Sequence, residues 1–187
     1  MTTPKIGIII GATRPSRIGP SIADWLQKHL QTEHLAVDII DLATLDLPLL
    51  DEEAMPSDNA YQLDHTKQWS QLVSGYDGFV LLFPQYNWGY PAPLKNALDC
   101  LYKEWRGKPV SMVSYGGHGG FQAALALSLV LRGLKFNRLS TNIEISLKAP
   151  ELDDFGHFKN ANQSLAPYAF NVQQLSAEFS HVLSQQH

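Results

Sequence analysis

The chain has 187 residues, of which 44% are hydrophobic and 17% charged, a composition typical of a globular protein with a substantial core. The formal net charge of −4 argues against a general nucleic-acid binder, which would carry a basic face. The single cysteine, Cys100, cannot form an intrachain disulfide, and no apolar stretch approaches the roughly 20 residues that span a bilayer. We therefore expect one domain over residues 1–187 in a soluble, cytoplasmic protein, with neither nucleic acid nor membrane as a partner.

Apolar segments of two kinds alternate along the chain. Short runs that are β-branched or continuously apolar predict strands at Lys5–Ile10, Val37–Leu42, Gly78–Phe83, Pro109–Ser114 and Leu139–Ile145. Apolar residues at helical spacing predict five helices between and after these strands. The residues that mark them are Ile22, Trp25, Leu26 and Leu30; Trp69, Leu72 and Val73; Leu94, Ala97, Leu98 and Leu101; Phe121, Ala124, Leu125, Leu129 and Arg132; and Leu165, Tyr168, Val172, Leu175, Phe179 and Val182.

This alternation predicts an α/β fold, in which a parallel sheet carries helices on both faces. The segment Ala43–Asn59 is acidic, contains prolines and is long for a loop in a compact domain. It is either a functional or interfacial segment or a solvated excursion.

The loop after the first strand, GATRPSRIGPS, has the residue types of a phosphate site. Ligands of open parallel sheets bind beyond the carboxyl ends of the strands, and a helix N-terminus there offers free N–H groups and a positive dipole end. Thr13, Ser16 and Ser21 add hydroxyl donors, while Arg14 and Arg17 add charge and forked geometry. The spacing matches neither the Walker A nor the dinucleotide glycine motif. A phosphate site and an ordinary turn with exposed arginines both remain open.

Two further loops have the composition of a site for a flat ring. The loop after the third strand, PQYNWGYP, combines the aromatic rings of Tyr86, Trp88 and Tyr90 with the amides of Gln85 and Asn87. Its alternative interpretation is a small satellite core. The loop after the fourth strand, SYGGHGG, carries four glycines, which let the backbone approach a ligand closely. Together, one phosphate loop and two ring loops predict a mononucleotide with an aromatic head.

The stretches GATRPSRIGP, LPLLDE and PQYNWGYPAPLKNALDCLYKEWRGKPVSMVSYGGHGG resemble the NADPH-dependent FMN reductases, which include flavin, quinone, azo-dye and chromate reductases. The resemblance implies a three-layer flavodoxin-like fold with a five-stranded parallel sheet in the order 2-1-3-4-5. It also implies non-covalently bound FMN, NADPH or NADH as co-substrate, and homodimers or homotetramers with the flavins near subunit interfaces. Carried over residue by residue, it implies FMN contacts from Thr13, Arg14, Arg17 and Gly19 at the phosphate, from Pro84, Gln85, Tyr86, Asn87 and Trp88 at the dimethylbenzene and N5 side, and from Ser114, Tyr115, Gly116, Gly117 and His118 at the pyrimidine edge.

The chain departs from this family pattern at two places. Ala12 stands where many members have serine, and Trp88 and Tyr90 are bulkier than the small residues often found after the asparagine. The second difference leaves the shape of the substrate slot open.

The resemblance further implies a ping-pong reaction in which FMN takes hydride from NAD(P)H and then reduces a flat or small acceptor, such as a quinone, azo compound, flavin or metal oxyanion. No side chain is expected as an obligate acid or base, and His118 is either a donor near the ring or a surface histidine. The histidines lack metal-ligand spacing, so we expect no metal. Two other functions remain open, a flavodoxin-like electron carrier and a flavin-based redox-sensing interaction protein that uses Ala43–Asn59 as its contact surface.

Overall fold

The apolar runs of the sequence form the strands of one parallel sheet. In the computed structural model, which describes residues 3–45 and 47–185, the strands are β1 (Lys5–Ile10), β2 (Ala36–Asp41), β3 (Gly78–Pro84), β4 (Pro109–Gly116), β5 (Asn137–Arg138) and β6 (Ile143–Ser146). The helices are α1 (Gly19–Leu30), α2 (Asp64–Ser74), α3 (Ala92–Asp99), α4 (Phe121–Gly133), α5 (Ala161–Leu165) and α6 (Ala169–Ser184). Short 3₁₀ turns lie at Pro56–Asp58, Lys103–Trp105, Ala149–Glu151 and Ala166–Tyr168.

The strands follow the order β2-β1-β3-β4-β5, with β6 also paired to β4, and every pair is parallel. Because successive side chains of a strand point to opposite faces, β1 contributes to two cores. Ile6, Ile8 and Ile10 pack with α1, α5 and α6 on one face. Ile9 packs with α2, α3 and α4 on the other. The predicted strand order and the three-layer flavodoxin-like fold are therefore confirmed, with a sixth strand added.

The single strand predicted at Leu139–Ile145 is wrong in its first half, because β5 ends at Arg138 and β6 begins only at Ile143. The carboxylate of Glu178 accepts hydrogen bonds from the backbone N–H of Ser140, at 2.7 Å, and of Thr141, at 2.9 Å. These donors are consequently not used in the sheet, and β5 and β6 pair separately with the beginning and the end of β4. Glu178 lies on α6, so sequence periodicity near the strand gave no sign of this contact.

The C-terminal helix predicted from Leu165 to Val182 is interrupted. Helix α5 ends at Leu165, a 3₁₀ turn follows at Ala166–Tyr168, and α6 begins at Ala169. Pro167 lies in the turn, where its missing N–H and its ring disfavour a continuous α-helix.

Helix α4 has the predicted bounds, but its buried face differs from the one marked in the sequence. Phe121, Leu125 and Leu129 are 53%, 59% and 73% exposed. The buried residues are Ala123, Ala124, Leu127 and Leu131. Because almost every position of this helix is apolar, two faces satisfy the same helical period. We call the exposed set, Phe121, Leu125 and Leu129, the α4 stripe.

Most of the Ala43–Asn59 segment is held against the helices; its residue Asp46 lies outside the described residues. The side chain of Asn96 in α3 donates to the carbonyl of Pro48 at 2.7 Å and accepts from the N–H of Leu50 at 2.9 Å. The carboxylate of Glu52 accepts from the N–H groups of Gln62 and Leu63 at the start of α2. These bonds give the segment a defined path. Along the part of the chain that the structure describes, no helix combines the length and apolar character needed to cross a bilayer.

Candidate functional site

A cleft of about 310 Å³ opens at the carboxyl ends of β1, β3 and β4, where a parallel sheet is expected to bind ligands. Its wall combines charged, aromatic and glycine residues from four segments that are distant in sequence. The wall consists of Arg14, Ser16, Arg17, Ile18, Pro84, Gln85, Tyr86, Tyr115, Gly116, Leu147, Phe155 and Gly156.

The arginine loop between β1 and α1 places two guanidinium groups in this wall. The Arg14 guanidinium carbon lies 5.9 Å from the centre of the Tyr86 ring, a cation–π contact that joins the first loop to the second. The Arg17 guanidinium forms an ion pair with Asp41 at the end of β2. Its Nε is buried and has no hydrogen-bond acceptor among the described residues. A buried, charged N–H group without a partner is costly and indicates a place for an anionic ligand.

Gly19 is buried at the first position of α1, behind the cleft wall. A Cβ added there would lie 3.0 Å from Ile10 and 3.1 Å from the hydroxyl of Tyr115. Glycine therefore lets α1 approach Tyr115 closely, and its N-terminus lies beside the arginine loop. Burial raises the pKa of Tyr115 well above its usual value, so the phenol stays protonated and can donate a hydrogen bond.

The second loop ends in a tight hairpin turn. Tyr86 and Gly89 exchange backbone hydrogen bonds of 2.8 Å, and the two residues between them, Asn87 and Trp88, have φ of 48° and 66°. Asparagine tolerates this left-handed conformation, whereas tryptophan adopts it at a cost. Trp88 is also 72% exposed, so packing does not compensate for that cost. Strain combined with an exposed ring makes Trp88 a candidate ligand-contacting residue.

Gln85 joins the second loop to the third. Its backbone N–H donates to the carbonyl of Tyr115 at 3.0 Å, and its side-chain oxygen accepts from the N–H of Ala123 at 3.1 Å. The second contact satisfies one of the free donors in the first turn of α4. The side-chain NH₂ of Gln85 is the group that remains for a ligand.

Ser114 stabilises the third loop but does not lie in the cleft wall. Ser114 is 1% exposed, and its hydroxyl donates to the carbonyl of Gly119 at 2.7 Å. Gly119 and Gly120 have φ of 75° and 83°, a conformation that glycine adopts without strain. His118 lies exposed at the tip of the loop.

The predicted site residues therefore divide into two groups. Arg14, Arg17, Pro84, Gln85, Tyr86, Tyr115 and Gly116 lie together in the cleft wall. Thr13, Gly19, Asn87, Trp88, Ser114, Gly117 and His118 lie in the same three loops or directly behind them, outside the wall itself.

One side of the cleft comes from a segment that the sequence did not indicate. Leu147, Phe155 and Gly156 complete the wall, and Phe155 is 77% exposed. The segment is folded as a turn, because the Asp153 carboxylate accepts from the N–H groups of Phe155, at 2.9 Å, and His157, at 2.8 Å. The only local signal is Gly156, whose φ of 82° fits a turn.

Acidic and nucleophilic groups elsewhere do not form a second centre of this kind. Within residues 3–45 and 47–185, no three His, Cys, Asp or Glu side chains cluster as a metal site requires. Cys100 is 2% exposed and belongs to the core, as predicted, although it lies directly after α3 and not within it. Lys95 pairs with Asp99 on α3.

Comparison with known proteins agrees with this geometry. Residues 4–146 match the family model of the NADPH-dependent FMN reductases. An NAD(P)H-dependent FMN reductase of Saccharomyces cerevisiae is 43% identical over 145 residues, which is 71% of this chain and 76% of that protein. An NAD(P)H-dependent FMN reductase of Schizosaccharomyces pombe is 44% identical over 148 residues, 78% of this chain and 74% of that protein.

The fold has counterparts among solved structures at much lower sequence identity. The flavoenzyme NAD(P)H:acceptor oxidoreductase FerB of Paracoccus denitrificans superimposes with a TM-score of 0.73 and 19% identity, covering 97% of this chain and 98% of that one. This likeness concerns the fold, whereas the family match extends from β1 to the end of β6 and includes all three predicted ligand loops. The chain belongs to the NADPH-dependent FMN reductase family, and the predicted oxidoreductase class, with FMN and NAD(P)H, is confirmed.

Proposed function

We propose that residues 1–187 act as one FMN-binding domain that transfers reducing equivalents from NAD(P)H to a small or flat acceptor. The observation that carries this proposal is the pair of arginines in the cleft wall, with the buried Nε of Arg17 lacking an acceptor among the described residues. An FMN phosphate supplies such an acceptor and two negative charges. The residues present therefore fit the cofactor.

The arginine end of the cleft would hold the phosphate. Arg14 and Arg17 supply charge, Ser16 lies in the wall beside them, and Thr13 is exposed in the same loop. The N-terminus of α1 adds its positive dipole end. Together these groups can bind a dianion by electrostatic attraction and hydrogen bonds.

The part of the cleft formed by the second and third loops would hold the isoalloxazine ring. Pro84, Gln85 and Tyr86 line one side, with Asn87 and Trp88 in the turn beyond them. Gly116 lies in the wall, with Gly117 next to it and no Cβ on either residue. Backbone N–H groups of this loop would donate to the pyrimidine edge and stabilise negative charge there.

FMN, when bound, supplies the chemistry of accepting hydride from NAD(P)H and passing electrons to an acceptor. The residues of the second and third loops would hold and orient the ring. Because the two substrates would use the same face of the ring in turn, we propose a ping-pong order. No side chain in the wall is required as an acid or base, and exposed His118 is not assigned a chemical step.

The proposed acceptors are quinones, azo compounds, free flavins and metal oxyanions. Trp88 is exposed at the ring end and offers a flat surface with few polar groups, which suits planar acceptors. An electron carrier would use hydroxyls and amides around the phosphate, and the two wall arginines argue against that function. A redox-sensing protein that docks through the 43–59 segment remains the other alternative.

We further propose that the protein forms a homodimer or homotetramer in the cytoplasm. The α4 stripe begins at Phe121, directly after the glycine loop of the cleft, and no charged residue interrupts it before Arg132. An uncharged, self-complementary helix face suits a symmetric contact with a second copy. The variant Leu125→Lys should reduce the mass of the protein measured by light scattering. The control variant Phe170→Lys changes a residue of α6 that is 66% exposed, and it should leave the mass unchanged.

A spectroscopic experiment tests the proposed reaction. The purified protein should bind FMN and show flavin absorption, which should bleach anaerobically when NADPH is added and return when a quinone follows. Failure to bind FMN would contradict the proposal. Bleaching by dithionite but not by NADPH or NADH would favour the electron carrier.

A further inference from the structure

Asp41, which no sequence motif indicated, holds one of the two arginines of the cleft. It is the last residue of β2, in the strand next to β1, and its carboxylate pairs with the guanidinium of Arg17. Only 17% of the Arg17 side chain and 19% of the Asp41 side chain are exposed. The pair is thus largely withdrawn from water, where a charge-assisted hydrogen bond is strong.

The carboxylate of Asp41 is itself fixed by the turn that follows β2. Its other oxygen accepts from the N–H of Ala43 at 3.0 Å. The carbonyl of Asp41 accepts from the N–H of Thr44 at 3.0 Å and from the Thr44 hydroxyl at 2.9 Å. Asp41 therefore presents an acceptor at a defined position.

Arg17 is held at its backbone and at the tip of its side chain. Its backbone N–H donates to the carbonyl of Arg14 at 3.1 Å, which closes the turn of the arginine loop. Asp41 binds the terminal Nη2, while Nε faces no acceptor among the described residues. Guanidinium has five N–H donors in a rigid plane, so a contact at Nη2 sets the direction of the others.

We propose that Asp41 is a positioning residue that pre-orients Arg17 for the cofactor phosphate, an inference that rests on the proposed FMN site. Without this contact, the long arginine side chain would sample many rotamers and would have to be ordered when the phosphate binds. Ordering one such side chain lowers affinity by about 3- to 10-fold. Asp41 removes this loss before binding, although its negative charge lies near that of the phosphate.

The test measures the FMN dissociation constant of the protein freed of cofactor, by quenching of flavin fluorescence, in a double-mutant cycle. Asp41→Ala should raise the dissociation constant about 3- to 10-fold. Asp41→Asn, which keeps a side-chain oxygen as acceptor for Arg17, should lie closer to wild type. In an Arg17→Met background, Asp41→Ala should change the constant less than about 2-fold, because Arg17 is no longer there to be positioned.

Two controls separate positioning from charge and from turn structure. Asp38→Ala removes a carboxylate from the same strand, where Asp38 pairs with Lys5 instead, and should leave FMN affinity unchanged. Thr44→Val removes only the hydroxyl bond to the Asp41 carbonyl and keeps the N–H of Ala43 on the carboxylate, so it should weaken FMN binding less than Asp41→Ala does. If Asp41→Ala folds poorly, Asp41→Glu and Asp41→Asn replace it in the comparison. Asp41→Glu displaces the carboxylate and should therefore weaken FMN binding.

Three results would overturn the positioning role while leaving the FMN site intact. These are wild-type affinity in Asp41→Ala, an equal loss in the Arg17→Met background, or tighter binding in Asp41→Ala, which would mean that the carboxylate competes with the phosphate. A wild-type protein that does not bind FMN would instead refute the proposed function. The two failures are therefore distinguishable.

Discussion

The glycine loop between β4 and α4 gives the sharpest test of how the backbone forms the ring end of the cleft. Gly120 has φ of 83° and directly precedes α4. A Cβ added there would lie 3.0 Å from the Cβ of Ser114 and 3.3 Å from the backbone nitrogen of Tyr115. Both atoms belong to the buried strand β4, which is paired on both sides and cannot move aside easily.

The variant Gly120→Ala should therefore lose stability for two reasons. The left-handed conformation costs a residue with a Cβ about 1–2 kcal/mol, and crowding against a packed strand adds about 1–3 kcal/mol. We expect the free energy of unfolding to fall by about 2–5 kcal/mol in total.

Gly107 provides the matched control, because its φ is 74° and an added Cβ would have no heavy atom within 4 Å. Gly107→Ala should lose only the conformational part, about 1–2 kcal/mol. Urea unfolding followed by circular dichroism measures both variants, with similar m-values expected. Equal losses in the two variants would refute the role of crowding at Gly120.

The same pair of variants also tests the link between this loop and the ligand. An alanine at position 120 would push on Ser114, whose hydroxyl holds the carbonyl of Gly119. The loop carrying Gly116 would then shift, and FMN affinity should fall. Gly107 lies before β4, at the opposite end of the strand, so Gly107→Ala should retain wild-type FMN affinity.

Three further predictions follow from individual residues. Trp88→Gly should raise the free energy of unfolding by about 1 kcal/mol in urea titrations, because φ of 66° suits glycine. The same variant should have a higher KM for planar acceptors. Unchanged stability would mean that the turn is unstrained. Burial raises the pKa of Cys100 to about 11, so about one thiol in a thousand is ionised at pH 8. Alkylation of Cys100 should therefore be slow until urea unfolds the protein, and rapid alkylation of the folded protein would contradict this prediction. Phe155→Ala should speed FMN release in stopped-flow displacement and change the free energy of unfolding by less than about 0.5 kcal/mol. Phe170→Ala, also at an exposed position, should not affect the release rate. Equal release rates in the two variants would show that Phe155 does not belong to the site.

Local patterns predicted the features whose causes are local. The strands β1, β3 and β4 are short and mostly apolar, and residues at or just after their carboxyl ends line three sides of the cleft. The buried face of α4 could not be chosen, because apolar residues surround the whole helix and only packing against the sheet decides which of them are covered.

Features that depend on distant residues escaped prediction. Glu178 binds the backbone near residues 140–141 and divides a strand, and Asp41 pairs with Arg17 across 24 positions of sequence. The cleft wall at Leu147, Phe155 and Gly156 comes from a polar stretch without periodicity. These contacts follow from the folded arrangement of strands and helices, which a single sequence does not specify residue by residue.

The two ends of the cleft differ in how firmly their side chains are held, and this difference bears on selectivity. At the arginines, Asp41 fixes Arg17 and the Tyr86 ring contacts Arg14. The charged N–H donors are therefore oriented before an anion binds. At the ring end, Trp88 is 72% exposed on a two-residue turn, and it offers shape rather than directed hydrogen bonds. Selectivity requires polar groups at fixed positions, whereas a flat apolar surface tolerates many planar molecules. If the cleft binds FMN as proposed, we expect strict recognition of the cofactor phosphate together with a broad range of acceptors, and changing the size of residue 88 should alter that range more than any change near Arg17.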